Sequence, residues 1–283
     1  KRFAPAIARH QLRREIIVTA TTNSLVNRMG PVFAIRTQED TGADVGRIAR
    51  AFAIGREITG MRELWADIEK LDDQVPTSLQ YDMAHETTRL LRHLTYWVLR
   101  NLGRNLDIER AVKRLRPGIQ ELMSTLPDVI GGLEVERYDR ALQRFTVAGV
   151  PASVARRVAS LGAIHSSVDI VEVALARRAP IGLAGRIYFA LGAALGLDWI
   201  RGEIERLPVE GHWQALARGT LREDAYALQR RLCDQVLARS GRGDAGQRVA
   251  AWLKSGGTEA ASLEHTVREM RATGSTDFPT LSV

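Results

Sequence analysis

Two histidines and a glutamate on one predicted helix come nearest to a catalytic or metal-binding motif in this chain. They are His85, Glu86 and His93. In the metalloprotease pattern, the second histidine follows the first by four residues, so that both rings bind one zinc ion. Position 89 is Arg89, and His93 lies two helical turns beyond His85, too far to share a metal ion without other ligands. We therefore expect both histidines to make surface or interhelix hydrogen bonds.

Two acidic pairs and the single cysteine also have structural explanations. Glu134 with Glu136, and Asp72 with Asp73, fall at predicted helix ends, where acidic side chains stabilise the helix dipole or a turn. Cys233 follows Leu232 in a helical pattern, which is typical of a small buried apolar residue. The sequence therefore predicts no catalytic residue and no metal ligand.

Glycines that could bind a nucleotide are not placed where that chemistry needs them. A dinucleotide site requires glycines in the turn between a strand and a helix, so that the backbone can approach the pyrophosphate. Gly182 and Gly185 lie between helical patterns with no strand before them, and there is no Walker-type loop. No cofactor-binding residue is predicted in this segment.

The basic charge of the chain permits contact with acidic surfaces but does not indicate a nucleic-acid site. There are 40 Lys and Arg against 33 Asp and Glu, and the formal net charge is +7. The arginines are spread along the chain among acidic residues, and no aromatic residues interleave with the arginine doublets, as they do where single strands stack on a protein. We expect solvated helix faces and no nucleic-acid partner.

The periodicity of apolar residues predicts an all-α fold. Apolar positions recur every three or four residues, with no strand-length alternation. We predict an irregular bundle of about ten helices without a Rossmann sheet. The longest apolar run, Ile187–Leu197, is shorter than the roughly 20 residues that span a bilayer, so no membrane contact is expected. The clearest helix face comprises Met61, Leu64, Trp65, Ile68 and Leu71.

Glycine and proline signals set the predicted boundaries. The first helix is expected over about His10–Met29, followed by a linker at 32–40, and the longest helix over 77–102. Pro117 predicts a break or kink, and a helical hairpin is expected to begin at Trp213.

At the level of domains, we predict one helical domain over 1–272, with a possible sub-boundary at 149–151 and a disordered tail at 273–283. The chain opens on Lys1 within the helical pattern, as expected of a piece of a longer polypeptide. All five tryptophans are expected to be core anchors; they are Trp65, Trp97, Trp199, Trp213 and Trp252.

The middle of the first helix has an unusual composition. Residues 19–24 read Thr-Ala-Thr-Thr-Asn-Ser, and these polar residues are mediocre helix formers that compete for backbone hydrogen bonds. Small polar side chains suit a close contact between elements, which makes Thr22, Asn23 and Asn27 candidate interdomain contacts. An ordinary helix with a polar outer face is the alternative.

Short sequence blocks in a fixed order resemble the region that follows the catalytic domain in the large bacterial NAD-specific glutamate dehydrogenases. At Gln11 the family usually has proline. The blocks extend over nearly the whole chain. They are Arg9–Ile17, Leu25–Pro31, Thr41–Ala43 with Arg50–Phe52, Trp65–Asp72, Gly149–Pro151, Tyr188–Gly192 with Leu197–Ile200, and His212–Arg218.

This resemblance implies a C-terminal helical domain of a long, homo-oligomeric cytoplasmic enzyme. The parent enzyme converts L-glutamate, NAD and water to 2-oxoglutarate, ammonium and NADH. The catalytic Lys and Asp and the nucleotide-binding glycines of the family belong to the preceding domain, and none maps onto this chain. The implied role is structural, with the catalytic domain of the same polypeptide as partner. Two alternatives are a free-standing helical scaffold and a weak basic nucleic-acid-binding protein.

Overall fold

The computed structural model describes residues 3–239, 243–255, 257–274 and 276–282. These residues form sixteen α-helices and one 3-10 turn, Leu126–Asp128, and contain no strand, which confirms the all-α fold without a Rossmann sheet. The chain divides into two compact units. The first comprises residues 1–72 and 77–116, and the second comprises 73–76 and 117–283.

The core of the first unit forms where its fourth helix packs against its sixth. Ile48 and Phe52 on the fourth helix, and Leu90 and Leu94 on the sixth, are fully buried. All five apolar residues predicted to line one helix face are buried; four of them lie on the fifth helix, and Leu71 follows its end. The helices are α1 (Ala4–Arg9), α2 (Arg13–Met29), α3 (Phe33–Thr41), α4 (Val45–Thr59), α5 (Met61–Glu69), α6 (Thr77–Asn101) and the first half of α7 (Ile108–Thr125).

The second unit is built around a helix that is apolar on most of its surface. Ala184, Ile187, Tyr188 and Leu191 of this helix, α11, are fully buried, because five other helices pack around it. After the second half of α7, the helices are α8 (Leu133–Val147), α9 (Ala152–Ile164), α10 (Ser167–Arg177), α11 (Ile181–Leu195), α12 (Leu197–Arg206), α13 (His212–Ala238), α14 (Ala245–Ser255), α15 (Gly257–Thr273) and α16 (Phe278–Leu281).

The described residues contain more helices than the ten expected, for two reasons. Some helical segments are divided by a bend into two helices, and one predicted linker is itself helical. The helical segment after Pro151 bends by 68° between α9 and α10, and the next bends by 73° between α11 and α12. The second bend is at Gly196, whose φ of +69° favours glycine. The predicted linker at 32–40 is wrong, since most of it forms α3, where Phe33 and Thr37 are buried.

Two other segments are more continuous than predicted. The break expected at Pro117 is absent, since helix α7 continues through it, and the residue after it, Gly118, packs so closely that an added Cβ would lie 3.0 Å from Val171. The expected hairpin at Trp213 is one continuous helix, α13, which at 27 residues exceeds α6 as the longest of the described helices. Gly219 is accommodated within it at a cost of about 1 kcal/mol.

The prediction of five tryptophan core anchors is wrong at Trp213, which is 78% exposed, whereas Trp65, Trp97 and Trp252 are buried. Arg218 donates a hydrogen bond to the carbonyl of Leu207, just after the end of α12. The preceding turns of α13 therefore lie past that helix, and the described contact of the indole with another ring is the edge contact with its neighbour His212.

Two further boundaries bear on the predicted organisation. Residues 149–151 form the turn between α8 and α9, inside the second unit. Part of the segment predicted to be disordered, residues 276–282, contains α16, whose Leu281 is buried against Ile204, Leu207 and Ala225.

Within the described ranges, no single helix is both long and apolar enough to cross a membrane; only the bent pairs α9–α10 and α11–α12 meet that test of length and composition together.

The packing of α6 on α4 predicts that Leu94→Ala costs about 2–5 kcal/mol, because Leu94 is fully buried and the substitution leaves a cavity. Leu94 lies against Gly55, where an added Cβ would be 3.2 Å from its Cβ, so α4 has no side chain there to fill the space. The matched control is Val147→Ala, at a residue 82% exposed, with an expected loss within ~0.5 kcal/mol. Urea unfolding followed by circular dichroism measures both. Equal losses would show that this face of α6 is not in the core.

Candidate interdomain surface and buried polar network

The C-terminal half of α2 is attached to the first unit. Leu25 and Met29 are buried on the side that packs against α4 and α6. Ser24 accepts a hydrogen bond of 3.0 Å from the guanidinium of Arg56, whose side chain is itself buried. This end of the helix is therefore held by both apolar and polar contacts.

Arg28 adds a second set of contacts at the same end of α2. Its guanidinium lies 4.6 Å from the ring centroid of Trp65 and forms an ion pair with Glu69. Its backbone carbonyl accepts a 3.1 Å hydrogen bond from the hydroxyl of Thr88. These contacts join the last turn of α2 to both α5 and α6.

The N-terminal half of α2 has no such attachment. Residues 3–24, which we call the α1–α2 arm, contain no buried residue among those whose side chains are described, which are 3 and 5–24; the last residue of the arm, Ser24, is the one that accepts the hydrogen bond from Arg56. Leu12, Ile17 and Val18 are each more than half exposed. The arm is thus an exposed helical segment that retains apolar side chains.

The candidate contact residues of the sequence all lie on α2, Thr22 and Asn23 within the arm and Asn27 just after it, but they do not form one cluster. Thr22, Asn23 and Asn27 are exposed. Asn23 and Asn27 are four residues apart and share a face, whereas Thr22 is rotated from Asn23 by about 100°. The face of Asn23 and Asn27 is opposite Leu25, and by helical spacing it also carries Leu12, Ile16 and Ala20.

Sequence reasoning missed the exposed apolar residues of the arm. The available signal was their angular spread: Ile16, Ile17 and Val18 are consecutive, so they point to three different sides of the helix. A helix that is apolar on several sides is normally surrounded by protein. One packing partner within the first unit cannot cover all of them.

A second candidate site is a buried polar network in the second unit, centred on Arg201. Its guanidinium donates to the side-chain oxygen of Gln229 and lies 3.4 Å from a carboxylate oxygen of Glu134. The three side chains are buried. Gln229 in turn donates a 2.7 Å hydrogen bond to the carbonyl of Tyr188. The network therefore joins α8, α11, α12 and α13.

Asp198 extends this network to the start of α8. Its Oδ2 accepts a 3.0 Å hydrogen bond from the backbone N–H of Leu133, and its Oδ1 accepts from that of Trp199 at 2.7 Å. A Cβ on Gly132 would lie 2.6 Å from Asp198, and a Cβ on Gly192 would lie 2.7 Å from Gln229. Both glycines leave the space that the buried polar side chains occupy.

The electrostatics of the network favour a permanently charged arginine. Burial alone lowers the pKa of Arg201, but the neighbouring Tyr188, Tyr226 and Glu134 outweigh it and raise that pKa. Burial raises the pKa of Tyr226 to about 12, so this hydroxyl stays neutral at physiological pH. The network contains a fixed cation paired with acceptors, which suits a structural role better than proton transfer.

The other residues that could do chemistry occupy structural positions. Cys233 is fully buried, its thiol lies 3.6 Å from the carbonyl of Ala184, and burial raises its pKa. His85 is exposed and His93 is buried, so the two rings occupy different environments. No group of three or more His, Cys, Asp or Glu in the described ranges could hold a metal ion.

The two glycines singled out in the sequence, Gly182 and Gly185, do not form a turn between a strand and a helix. Gly182 and Gly185 lie within α11, which follows another helix. A Cβ on Gly185 would lie 2.4 Å from Val129, so this glycine allows close packing of protein against α11 and offers no open backbone to a phosphate. The described part of the chain contains no strand that could precede a phosphate-binding turn.

Comparisons with a family model and with curated proteins agree on one family. A sequence model described as "Glutamate dehydrogenase, C-terminal" matches residues 1–283. Similar curated proteins include the NAD-specific glutamate dehydrogenases of Pseudomonas aeruginosa (34% identical), Halomonas elongata (32%) and Mycobacterium tuberculosis (30%), each aligned over 284 residues. The alignments cover 100% of this chain but only 18%, 18% and 17% of those proteins, so the chain spans less than a fifth of their length.

The Arg201 network predicts that Arg201→Met costs about 3 kcal/mol of unfolding free energy, because it leaves Gln229 buried without its cationic partner and Glu134 paired only with Arg137, 2.7 Å away. Arg206→Met is the matched control on the same helix, since Arg206 pairs with Glu203 but is 75% exposed, and its expected cost is below ~1 kcal/mol. Urea unfolding compares the two variants. Similar small losses would contradict a structural role for the network.

Proposed function

Because this chain belongs to the glutamate dehydrogenase C-terminal family, we propose that it is a helical docking and assembly domain of a large NAD-specific glutamate dehydrogenase. The parent reaction is the oxidative deamination of L-glutamate to 2-oxoglutarate and ammonium, with hydride transfer to NAD. The partner of the domain is the catalytic part of the same polypeptide, within a cytoplasmic homo-oligomer. This segment itself carries out no chemical step.

The exposed α1–α2 arm carries the docking proposal. Helix α2 has 17 residues, of which only Leu25 and Met29 are buried. Isolated helices shorter than about 15 residues are only marginally stable, even when built from good helix formers, and the part of α2 before Ser24, residues 13–23, is shorter than that. The middle of α2 consists largely of Thr, Asn and Ser, which are poorer ones. An arm of this composition, with apolar side chains in water, gains stability only when another surface covers it.

Asn23 and Asn27 give this surface its polar part. Both are exposed and lie on the face that also carries Leu12 and Ile16. An amide side chain both donates and accepts hydrogen bonds, so it can pair with backbone groups of a partner that approaches closely. We assign Asn23 and Asn27 to the interdomain contact and Thr22 to its edge.

For Asn23→Ala combined with Asn27→Ala, we expect lower activity or a smaller oligomer in the full-length enzyme, because buried hydrogen bonds to the partner are lost. Asn105→Ala, at another exposed asparagine of the first unit, is the control and should change neither. Light scattering gives the oligomer mass, and a steady-state assay gives the activity. Unchanged mass, activity and melting temperature in the double variant would exclude both asparagines from the contact.

The apolar part of the arm is tested by Ile17→Asp combined with Val18→Asp. A charge placed in a covered apolar contact must be desolvated, so the full-length variant should lose assembly or activity more severely than the asparagine variant. Val147→Asp, on an exposed valine of α8, controls for the added charge. Wild-type assembly and activity in the double aspartate variant would mean that the arm stays in water.

A non-catalytic role predicts that the separate domain neither binds NAD nor oxidises glutamate. The support is the position of Gly182 and Gly185 inside a helix, where side chains pack against them. Isothermal titration calorimetry with NAD checks this, with the full-length enzyme as positive control. Saturable binding of NAD to the domain alone at micromolar concentration would overturn it.

A further inference from the structure

The charge of the α1–α2 arm is as distinctive as its exposure. Arg9, Arg13 and Arg14 lie at the turn between α1 and α2, and the only acidic side chain nearby in the sequence is Glu15. None of the three arginines forms an ion pair with a described carboxylate; Arg13 donates only a 3.4 Å hydrogen bond to the carbonyl of Ala8. The turn is therefore a cluster of uncompensated positive charge.

The position of these arginines increases the need for an anionic neighbour. Arg13 and Arg14 are the first two residues of α2, where the helix dipole is positive and a cation is unfavourable. Leu12 precedes them and makes no capping hydrogen bond with its side chain. A carboxylate placed here would pair with the guanidinium groups and would also interact favourably with the positive end of the helix dipole.

Apolar side chains lie among the same cations. Leu12 precedes Arg13, and Ile17 and Val18 follow one turn after Arg14, each more than half exposed. A surface of this kind fits a partner with an apolar centre and acidic residues at its rim. A nucleic-acid backbone would match the arginines but would leave the aliphatic side chains in water.

We propose that the α1–α2 arm docks into an apolar groove with an acidic rim on the part of the polypeptide that lies outside this chain. This inference rests on the proposed function and adds the chemistry of the partner surface. In the relatives, more than four-fifths of the polypeptide lies outside the matched region, so an internal partner has ample surface. A symmetric contact between two copies of the arm is disfavoured because it brings like charges together.

The test is hydrogen–deuterium exchange of peptides covering residues 10–24 in the full-length enzyme. In the wild type we expect slow exchange that becomes faster as salt rises from about 0.1 M to about 1 M, since the Debye length falls from about 10 Å to about 3 Å. Arg9→Glu, Arg13→Glu and Arg14→Glu together should accelerate exchange roughly tenfold or more. The triple lysine variant, which keeps the charge, should remain protected.

A matched control changes the same amount of charge elsewhere on the first unit. Arg104→Glu, Arg110→Glu and Lys113→Glu alter three exposed residues outside the arm and should leave its exchange slow. The proposal of an acidic rim is wrong if the arm exchanges as slowly in the Arg9, Arg13 and Arg14 glutamate variant as in the wild type. It is also wrong if both triple glutamate variants accelerate exchange equally. Protection that appears only when a short DNA duplex is added would also overturn it, in favour of nucleic acid.

The failure of this inference can be told apart from failure of the proposed function. If Ile17→Asp with Val18→Asp removes protection while the triple glutamate variant does not, the arm docks but the rim is not acidic. If the wild-type arm exchanges fast at low salt in the full-length enzyme, the arm is not covered and both proposals fail.

Discussion

A buried guanidinium, that of Arg201, sets the arrangement of four helices in the second unit, α8, α11, α12 and α13. A cation in a protein interior is tolerated only where acceptors and opposite charge surround it. Gln229 and Glu134 supply them from α13 and α8, and Asp198 joins the start of α8 to α12. The helices must therefore approach in one register, and Gly132 and Gly192 are the positions at which that approach leaves no room for a side chain.

The first unit is organised by apolar packing instead, and this difference explains what could be predicted from sequence. The face of Met61, Leu64 and Trp65 is periodic within one helix, so a local pattern was sufficient. The link between Arg201 and Glu134 joins residues 67 positions apart, and nothing local distinguishes these two from other charged residues. The periodicity of apolar residues therefore could not predict the network or the packing of α8 on α12.

Several predicted helix boundaries are wrong for a related reason. Proline and glycine disfavour a helix locally by a few kcal/mol at most, and tertiary packing can outweigh that preference. Pro117 stays inside α7 where Gly118 packs on Val171, and residues of the expected linker form α3 because Phe33 is buried. For the candidate site, the Thr and Asn content of the sequence directed the prediction to α2, where the structure places Thr22, Asn23 and Asn27 in exposed positions. The sequence did not identify the uncovered aliphatic residues, since exposure depends on where neighbouring helices end.

The unequal burial of the tryptophans gives the chain a built-in optical probe. Trp213 is in water, whereas Trp65, Trp97 and Trp252 are enclosed. A soluble collisional quencher will therefore reach Trp213 first, the half-buried Trp199 less readily, and the three enclosed indoles last, and the emission of Trp213 is shifted to longer wavelength. Trp213 stands at the start of α13, beside the ring of His212, whose centroid is 5.3 Å away. Any protein surface that covers this end of α13 will register as a blue shift and a loss of quenching, without a label.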